Sequence, residues 1–213
     1  IDRSSQIFFK YSLGIPYELE RIPFPKQKKK LPPYLCYEEV EQILNSASNL
    51  KHKTILMLIY SSGLRVSEAI NIIPSDILRS KMLLRINQGK GNKDRYTILA
   101  KKALEQLEKY WKAYKPKTYL FPGKGGGNQL SIRACQHAFE SAKKSAGVNK
   151  KGGIHSLRHS FATHFLETGG GIFQLQKLLG HKQLRTTLQY AHLSEEKIIA
   201  RSPLDVYSES NCK

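Results

Sequence analysis

Apolar residues recur at helical spacing along most of this chain, and the spacing changes to that of strands in a single segment. In residues 37–72 and 101–200, apolar side chains return every three or four positions, which gives each helix one buried face. Residues 76–99 instead hold short apolar runs separated by turn residues. We therefore predict a mostly α chain of the α+β class, with a small three-stranded antiparallel sheet.

The strand-like segment predicts a hairpin with one added strand. Met82–Ile86 and Arg95–Leu99 are two candidate strands joined through the turn residues Gln88–Asn92, and Ile77–Arg79 is a third. A first candidate helix begins at residue 37. Further candidate helices cover residues 53–61, 65–72, 101–114, 131–146, 155–167, 172–179, 183–191 and 194–200.

Charge constrains the partners of this chain. The 213 residues include 35 Lys and Arg against 17 Asp and Glu, a formal net charge of +18. This excess favours double-stranded DNA as the partner, because each neutralised phosphate releases condensed counterions. RNA, an acidic membrane surface or no such partner at all remain open on composition alone.

Cysteine usage and hydropathy exclude several classes of protein. Cys36, Cys135 and Cys212 lie far apart and form no Cys-x-x-Cys pair, which argues against a disulfide scaffold or a zinc knuckle. No apolar run approaches the roughly 20 residues of a membrane-spanning helix. The sequence predicts a cytoplasmic protein without a membrane segment.

Two short regions precede the main domain. Residues 1–22 are predicted to contain the end of a helix, followed by a break at Gly14 and Pro16. Residues 23–33 contain four prolines and four lysines, which predicts an extended cationic linker. This linker either lies along a DNA backbone or is a solvated loop. Residues 34–213 form the predicted main domain, and a start at Ile1 without a signal pattern suggests a fragment of a longer protein.

One set of side chains suits metal-free cleavage of a phosphodiester. A tyrosine oxygen can attack phosphorus and leave a bond that can be reversed. Paired arginine donors can hold the non-bridging oxygens, a histidine moves protons near neutral pH, and a lysine can protonate the departing oxygen. The candidates for these roles are Tyr190, Arg65, Arg158, His155, His181 and Lys90.

Each candidate also has an ordinary interpretation. Tyr190 is one of eleven tyrosines and could be a half-buried core residue, and Lys90 could be an exposed turn residue. The two arginines could form ion pairs. His155 and His159 are four residues apart and could share a helix face as metal ligands. No glutamate lies between them as in a zinc protease, so we predict no metal site.

Taken together, four motifs resemble those of the tyrosine recombinases, also called the phage integrase family. They are Ser-Gly-Leu-Arg-Val-Ser-Glu at 62–68, Gly-Lys-Gly-Asn-Lys-Asp-Arg at 89–95, His-Ser-Leu-Arg-His-Ser-Phe-Ala-Thr at 155–163, and Leu-Gly-His at 179–181 followed by Tyr190. They occur in the family's order. The resemblance is strongest to Xer-type and transposon-borne integrases, and it implies a helical catalytic domain over residues 34–213.

The resemblance assigns a role to each matched residue. Tyr190 is the implied nucleophile that forms a 3′-phosphotyrosine, and Arg65 and Arg158 are the implied clamp on the scissile phosphate. His181 is expected to hydrogen-bond a non-bridging oxygen. His155 is expected to help manage the proton of the tyrosine.

Two further roles are implied for groups near the clamp. Lys90 is the expected general acid toward the 5′-oxygen, with Lys93 as its rival. Glu68 is expected to orient the pocket, although a surface ion pair with Arg65 is an alternative. His159 has no assigned role and is expected to pack or cap locally.

The resemblance also implies partners. It predicts a site-specific recombinase or integrase that needs no metal, ATP or other cofactor and acts as a tetramer on two DNA sites. Residues 194–207 are expected to contact a neighbouring subunit or to pack on their own domain. Residues 1–22 are expected to be the remnant of a core-binding domain. Location at the bacterial nucleoid is expected.

Type IB topoisomerase or resolvase activity and a non-catalytic DNA-binding regulator are the alternatives. The expected DNA contacts are Lys28, Lys29, Lys30, Lys93, Arg95, Lys150 and Lys151.

Overall fold

A computed structural model describes residues 34–87, 94–125 and 127–191, and this part of the chain contains eight α-helices and one small sheet. Short 3-10 turns cover Pro74–Asp76 and Arg79–Lys81. The prediction of a mostly α chain is confirmed. The helices are α1 (Tyr37–Ser46), α2 (Leu50–Ser62), α3 (Val66–Ile70), α4 (Lys101–Tyr114), α5 (Ile132–Ser145), α6 (His155–Glu167), α7 (Ile172–Leu179) and α8 (Arg185–Leu188).

The sheet is antiparallel with strand order β1-β2-β3, as predicted. Its strands are β1 (Ile77–Leu78), β2 (Leu83–Ile86) and β3 (Arg95–Ile98). Arg95 and Thr97 face inward on β3 while their neighbours are exposed, so one face of the sheet packs on the helices. Thr97 Oγ1 donates a 2.8 Å hydrogen bond to the Ser62 carbonyl at the end of α2, which fixes that contact.

Helix α2 lies at the centre of the domain. Ile55, Leu56, Leu58 and Ile59 are each at most 1% exposed, so apolar side chains cover more than one face of this helix. The helix packs against α4, α5 and α6. A helix surrounded in this way shows little amphipathic pattern, and its near-continuous apolar run follows from that position.

Glycines end α2 and α7 and bring functional residues to one place. Gly63 (φ 62°) and Gly180 (φ 65°) both adopt the left-handed conformation that favours glycine at a helix C-terminus. A Cβ on Gly63 would lie 2.4 Å from the Phe161 ring of α6. The chain turns sharply after each helix, and Arg65 and His181 follow within two residues.

The buried apolar residues form two clusters. The larger one fills the space between α1, α2, α4, α5 and the sheet. The smaller one lies between α6 and α7 and consists of Phe161, Ala162, Leu175, Leu179 and Tyr190. The predicted site tyrosine is therefore part of a core.

Several boundaries differ from prediction. Helix α8 covers four residues where the sequence predicted a helix over 183–191. The predicted segments 1–22 and 23–33 and the C-terminal segment 194–207 lie outside the described residues, as does the turn 88–92. Within the described ranges, no helix is both long and apolar enough to cross a membrane.

Candidate active site

Arg158 is the central cation of the site, and backbone carbonyls hold it. Its Nη1 donates to the Gly63 carbonyl at 2.6 Å, and its Nη2 donates to the Leu179 carbonyl at 2.8 Å. These carbonyls lie at the C-terminal ends of α2 and α7, where unpaired carbonyls carry partial negative charge. Burial, together with the nearby charge of Arg65, lowers the pKa of Arg158 to about 10. The guanidinium therefore stays protonated at neutral pH, in a fixed orientation.

Glu68 on α3 joins three arginines. Arg95 donates to both of its carboxylate oxygens at 2.9 Å, and Arg65 donates from its backbone N at 2.7 Å and from Nη1 at 2.8 Å. Nη1 of Arg158 lies 3.7 Å from Oε2. Burial raises the pKa of Glu68, but the hydrogen bonds and charge of Arg95 and Arg65 outweigh it, and the net shift is downward.

One carboxylate facing three guanidinium groups leaves the pocket positively charged. The Arg65 side chain is 40% exposed, whereas that of Arg158 is 6% exposed. Arg65 is therefore the more accessible of the two cations. The predicted alternative for Glu68 was a surface ion pair with Arg65. The ion pair is present, but the Glu68 side chain is only 11% exposed, so the pair does not lie on the surface.

His181 follows the glycine that ends α7, and both ring nitrogens have partners. Its Nε2 lies 3.1 Å from Nη2 of Arg158, and its Nδ1 lies 2.9 Å from Oγ1 of Thr187. Because the guanidinium only donates, Nε2 accepts and Nδ1 carries the proton. Burial and the charge of Arg158 lower the pKa of His181 to about 4, so the ring is neutral. Donation from Nε2 to a phosphate oxygen requires a second proton on the ring.

Tyr190 is 1% exposed and packs in the smaller apolar cluster. Its Oη lies 2.7 Å from Nδ1 of His159, and the two ring centroids are 5.8 Å apart. Burial raises the pKa of Tyr190, and the positive charges of Arg158 and Arg65 act in the opposite direction. The phenol therefore lies within electrostatic reach of both candidate clamp residues.

The histidine beside the phenol is not the one that the motif indicated. His155 is the first residue of α6 and is exposed, whereas His159, one turn later, contacts Tyr190. The expectation that His159 only packs or caps locally does not fit this contact. The sequence contains a signal for His159 as well, because His155 and His159 are four residues apart and share a helix face.

The predicted DNA contacts occupy different environments. Arg95 is 9% exposed, and besides Glu68 its Nε donates to the Leu178 carbonyl at 3.0 Å, so it does not fit the predicted role of a surface DNA contact. Lys150 lies 2.9 Å from Oε2 of Glu39, and Lys151 is exposed. Outside the described residues lie the remaining predicted contacts, Lys28, Lys29, Lys30 and Lys93. The expected general acid, Lys90, also lies outside them.

The described part of the chain contains no group of three or more His, Cys, Asp or Glu side chains arranged to hold a metal ion.

Comparison with known sequences identifies the family. The sequence model of the Phage integrase family matches residues 33–197. The chain belongs to the phage integrase family. A protein named integrase/recombinase y4qK from Sinorhizobium fredii is 42% identical over 86% of this chain and 59% of its own length. Tyrosine recombinase XerA of Pyrococcus horikoshii is 39% identical over 90% of this chain and 67% of its own length.

A solved structure shows the same fold. XerH site-specific recombinase, bound to a palindromic difH substrate in a post-cleavage complex, superposes with a TM-score of 0.73 and 27% identity. The match covers 84% of this chain and 55% of that one. This chain thus spans between about half and two thirds of the length of these three proteins. The family and fold predicted from the four motifs are confirmed.

Proposed function

We propose that this chain is the catalytic part of a site-specific DNA recombinase or integrase that cuts and rejoins strands through a 3′-phosphotyrosine, without metal or ATP. One observation carries the proposal. Arg65, Arg158 and His181, which come from separate motifs, meet around Glu68, and the charges of Arg158 and Arg65 reach the phenol of Tyr190 and favour its ionised form. A phosphodiester is the ligand whose charge and geometry suit this positively charged pocket.

The clamp supplies most of the electrostatic stabilisation. As Tyr190 attacks, negative charge builds on the non-bridging oxygens, and Arg65 and Arg158 are the proposed cations that stabilise it. The carbonyls that hold Arg158 are part of the backbone, so its orientation is set before the DNA binds. The cost of reorganising the site during the reaction is correspondingly small.

Two proton transfers complete the cycle. The departing 5′-oxygen needs a proton, for which Lys90 is our candidate, and Lys93 is the alternative. The phenol must lose its own proton, and His155 is the candidate that the family resemblance implies. In the rejoining step the 5′-hydroxyl attacks the phosphotyrosine and both protons return.

Double-stranded DNA is the proposed partner. The net charge of +18 and the DNA-bound state of the related XerH support this choice. We also propose a tetramer on two sites, with residues 194–207 contributing to the subunit contact, and a location at the bacterial nucleoid in the cytoplasm. Residues 1–22 and 23–33 are proposed as the end of a core-binding domain and a basic linker on the DNA backbone.

The phenol has to become accessible before it can react. Tyr190 is 1% exposed, and it follows the four-residue helix α8. A helix of one turn has little stability of its own, so a small shift of this segment on DNA binding can expose the phenol. The proposal therefore includes a small shift at the end of this segment that opens the phenol to DNA while its contact with His159 and that of Thr187 with His181 are kept.

Covalent capture tests the proposal. The chain is incubated with random-sequence duplexes nicked near the centre, so that a cleaved fragment diffuses away and the protein–DNA adduct persists in detergent. We expect an adduct through Tyr190, located by mass spectrometry, and its complete loss in Tyr190→Phe. Tyr110→Phe, which removes a buried phenol distant in sequence, is the matched control and should retain the adduct.

The captured duplexes then separate the alternative activities. A recombinase joins strands between two copies of the selected site, whereas a topoisomerase only relaxes supercoiled DNA. DNA binding without any adduct would instead favour the non-catalytic regulator and would contradict the proposed function.

A further inference from the structure

The contact between Tyr190 and His159 has no function in the roles assigned so far. Nδ1 of His159 and Oη of Tyr190 are 2.7 Å apart, a short hydrogen bond between two side chains 31 residues apart in sequence. The bond lies inside the domain, because Tyr190 is 1% exposed and His159 is partly buried. Its position at the reacting oxygen suggests a part in the chemistry.

The two other histidines of the site are less well placed. Both ring nitrogens of His181 already face other groups, Nη2 of Arg158 and Oγ1 of Thr187. His155 is exposed at the first turn of α6. Among the described histidines, His159 is the one whose ring nitrogen lies at hydrogen-bonding distance from the phenol.

The surroundings favour a neutral His159 that accepts the bond. Burial lowers the pKa of His159, and the charges of His155 and Arg158 lower it further. A neutral imidazole with its proton on Nε2 presents a lone pair at Nδ1 toward the phenol proton. The positive charges of Arg158 and Arg65 favour the ionised form of the phenol once its proton has left. The phenol thus has an acceptor for its proton and nearby positive charge for the resulting anion.

We infer that His159, in place of His155, is the catalytic residue that takes the proton of Tyr190 on Nδ1 as the phenol oxygen attacks phosphorus. The inference rests on the proposed function. In cleavage the bond from phosphorus to Oη forms, the bond from phosphorus to the 5′-oxygen breaks, and the 5′-oxygen leaves with the proton of the general acid. In rejoining, the 5′-hydroxyl attacks and gives its proton to that acid. The released phenolate recovers the proton held by His159, so neither protons nor electrons are consumed.

Single-turnover kinetics of adduct formation test the inference. The substrate is a duplex selected in the capture experiment, with sulfur replacing the bridging 5′-oxygen at the scissile position, so that the leaving group needs no proton. The variant is His159→Asn, whose amide oxygen can keep the hydrogen bond to the phenol but cannot take its proton. We expect a rate loss of about 10² to 10⁴ at neutral pH, the usual contribution of a proton acceptor.

The pH profile separates proton transfer from positioning. In the unaltered chain the rate should rise with pH and then level off as His159 becomes neutral, whereas in His159→Asn it should keep rising toward the pKa of the phenol. Replacing Tyr190 with a more acidic fluorotyrosine should restore part of the lost rate. His155→Asn is the comparison, and a larger loss in that variant than in His159→Asn would overturn the inference.

Nitrogen-15 NMR of the imidazole in the DNA-free chain gives a test without turnover. We expect His159 to be neutral with an unprotonated Nδ1. A proton on Nδ1 would make His159 the donor and would overturn the inference. If the unaltered chain forms no adduct, the proposed function and the inference both fail. If His159→Asn forms the adduct at the unaltered rate and pH profile, the inference alone fails.

Discussion

At the scale of single residues, charge balance around Glu68 controls the site. Its carboxylate contacts Arg95 and Arg65 directly and lies 3.7 Å from Arg158 through Oε2. Arg95 is itself 9% exposed, so its guanidinium has lost most of its water and depends on that carboxylate. Arg95 therefore positions Glu68, which in turn orients Arg65, the cation that is open to a ligand.

We expect Glu68→Gln to lower the free energy of unfolding by about 3 kcal/mol, because Arg95 would remain buried without its counter-charge. Urea unfolding followed by circular dichroism measures the change, and the exposed Glu105→Gln on α4 is the matched control. The pKa of Glu68 is lowered from 4.5 in the folded state. Its stabilising effect is therefore complete above about pH 4.5 and is lost as the pH falls through the lower folded value. Equal stability of the two variants at neutral pH would contradict this account.

At the scale of secondary-structure elements, helix ends build the pocket. The carbonyls that hold Arg158 belong to the C-termini of α2 and α7, and Gly63 and Gly180 end those helices. A Cβ on Gly180 would lie 2.7 Å from Cδ of Arg95. The close approach of α7 to β3 thus depends on that glycine.

Helix α8 is tied to the pocket through Thr187, which is fully buried and lies 2.9 Å from Nδ1 of His181. We expect Thr187→Val to lower the free energy of unfolding by about 1 kcal/mol, because valine has a similar shape but leaves the ring N–H without an acceptor. We also expect adduct formation to slow about tenfold, as His181 loses its fixed orientation. Thr186→Val, one residue earlier and exposed, is the control. Equal adduct rates in the two variants would show that this contact does not orient His181.

At the scale of the whole domain, buried neutral histidines make stability depend on pH. His164 on α6 lies 2.9 Å from Oη of Tyr60 and stacks on the Tyr37 ring with a centroid distance of 3.7 Å. Burial lowers its pKa to about 4, although the charge of Glu38 acts in the opposite direction. His181 has a pKa of about 4 as well.

Below the unfolded pKa of 6.5, the unfolded chain binds protons at these two histidines that the folded chain does not bind. Stability should therefore fall as the pH decreases from about 6.5 to 4, by about 1.4 kcal/mol per pH unit for each histidine. Urea midpoints across this range measure the slope. His164→Gln should reduce this slope by about 1.4 kcal/mol per pH unit, the contribution of one proton. A slope unaffected by His164→Gln would contradict the prediction.

Much of the fold and site could be predicted, because the relevant signals are local in sequence. Apolar spacing indicates the helices and the hairpin, and short motifs around Arg65, Arg158 and His181 mark the residues of the pocket. The length of α8 could not be predicted, since four residues carry too little periodicity.

Long-range packing controls the rest. The burial of Arg95 follows from the register of β3 against α3 and α7, and charge alone suggested an exposed DNA contact. The pairing of His159, and not His155, with Tyr190 depends on how α6 is rotated about its axis and how closely the end of α8 approaches it. A motif can name the residue types that meet, but contact between side chains far apart in sequence depends on how the helices pack in three dimensions.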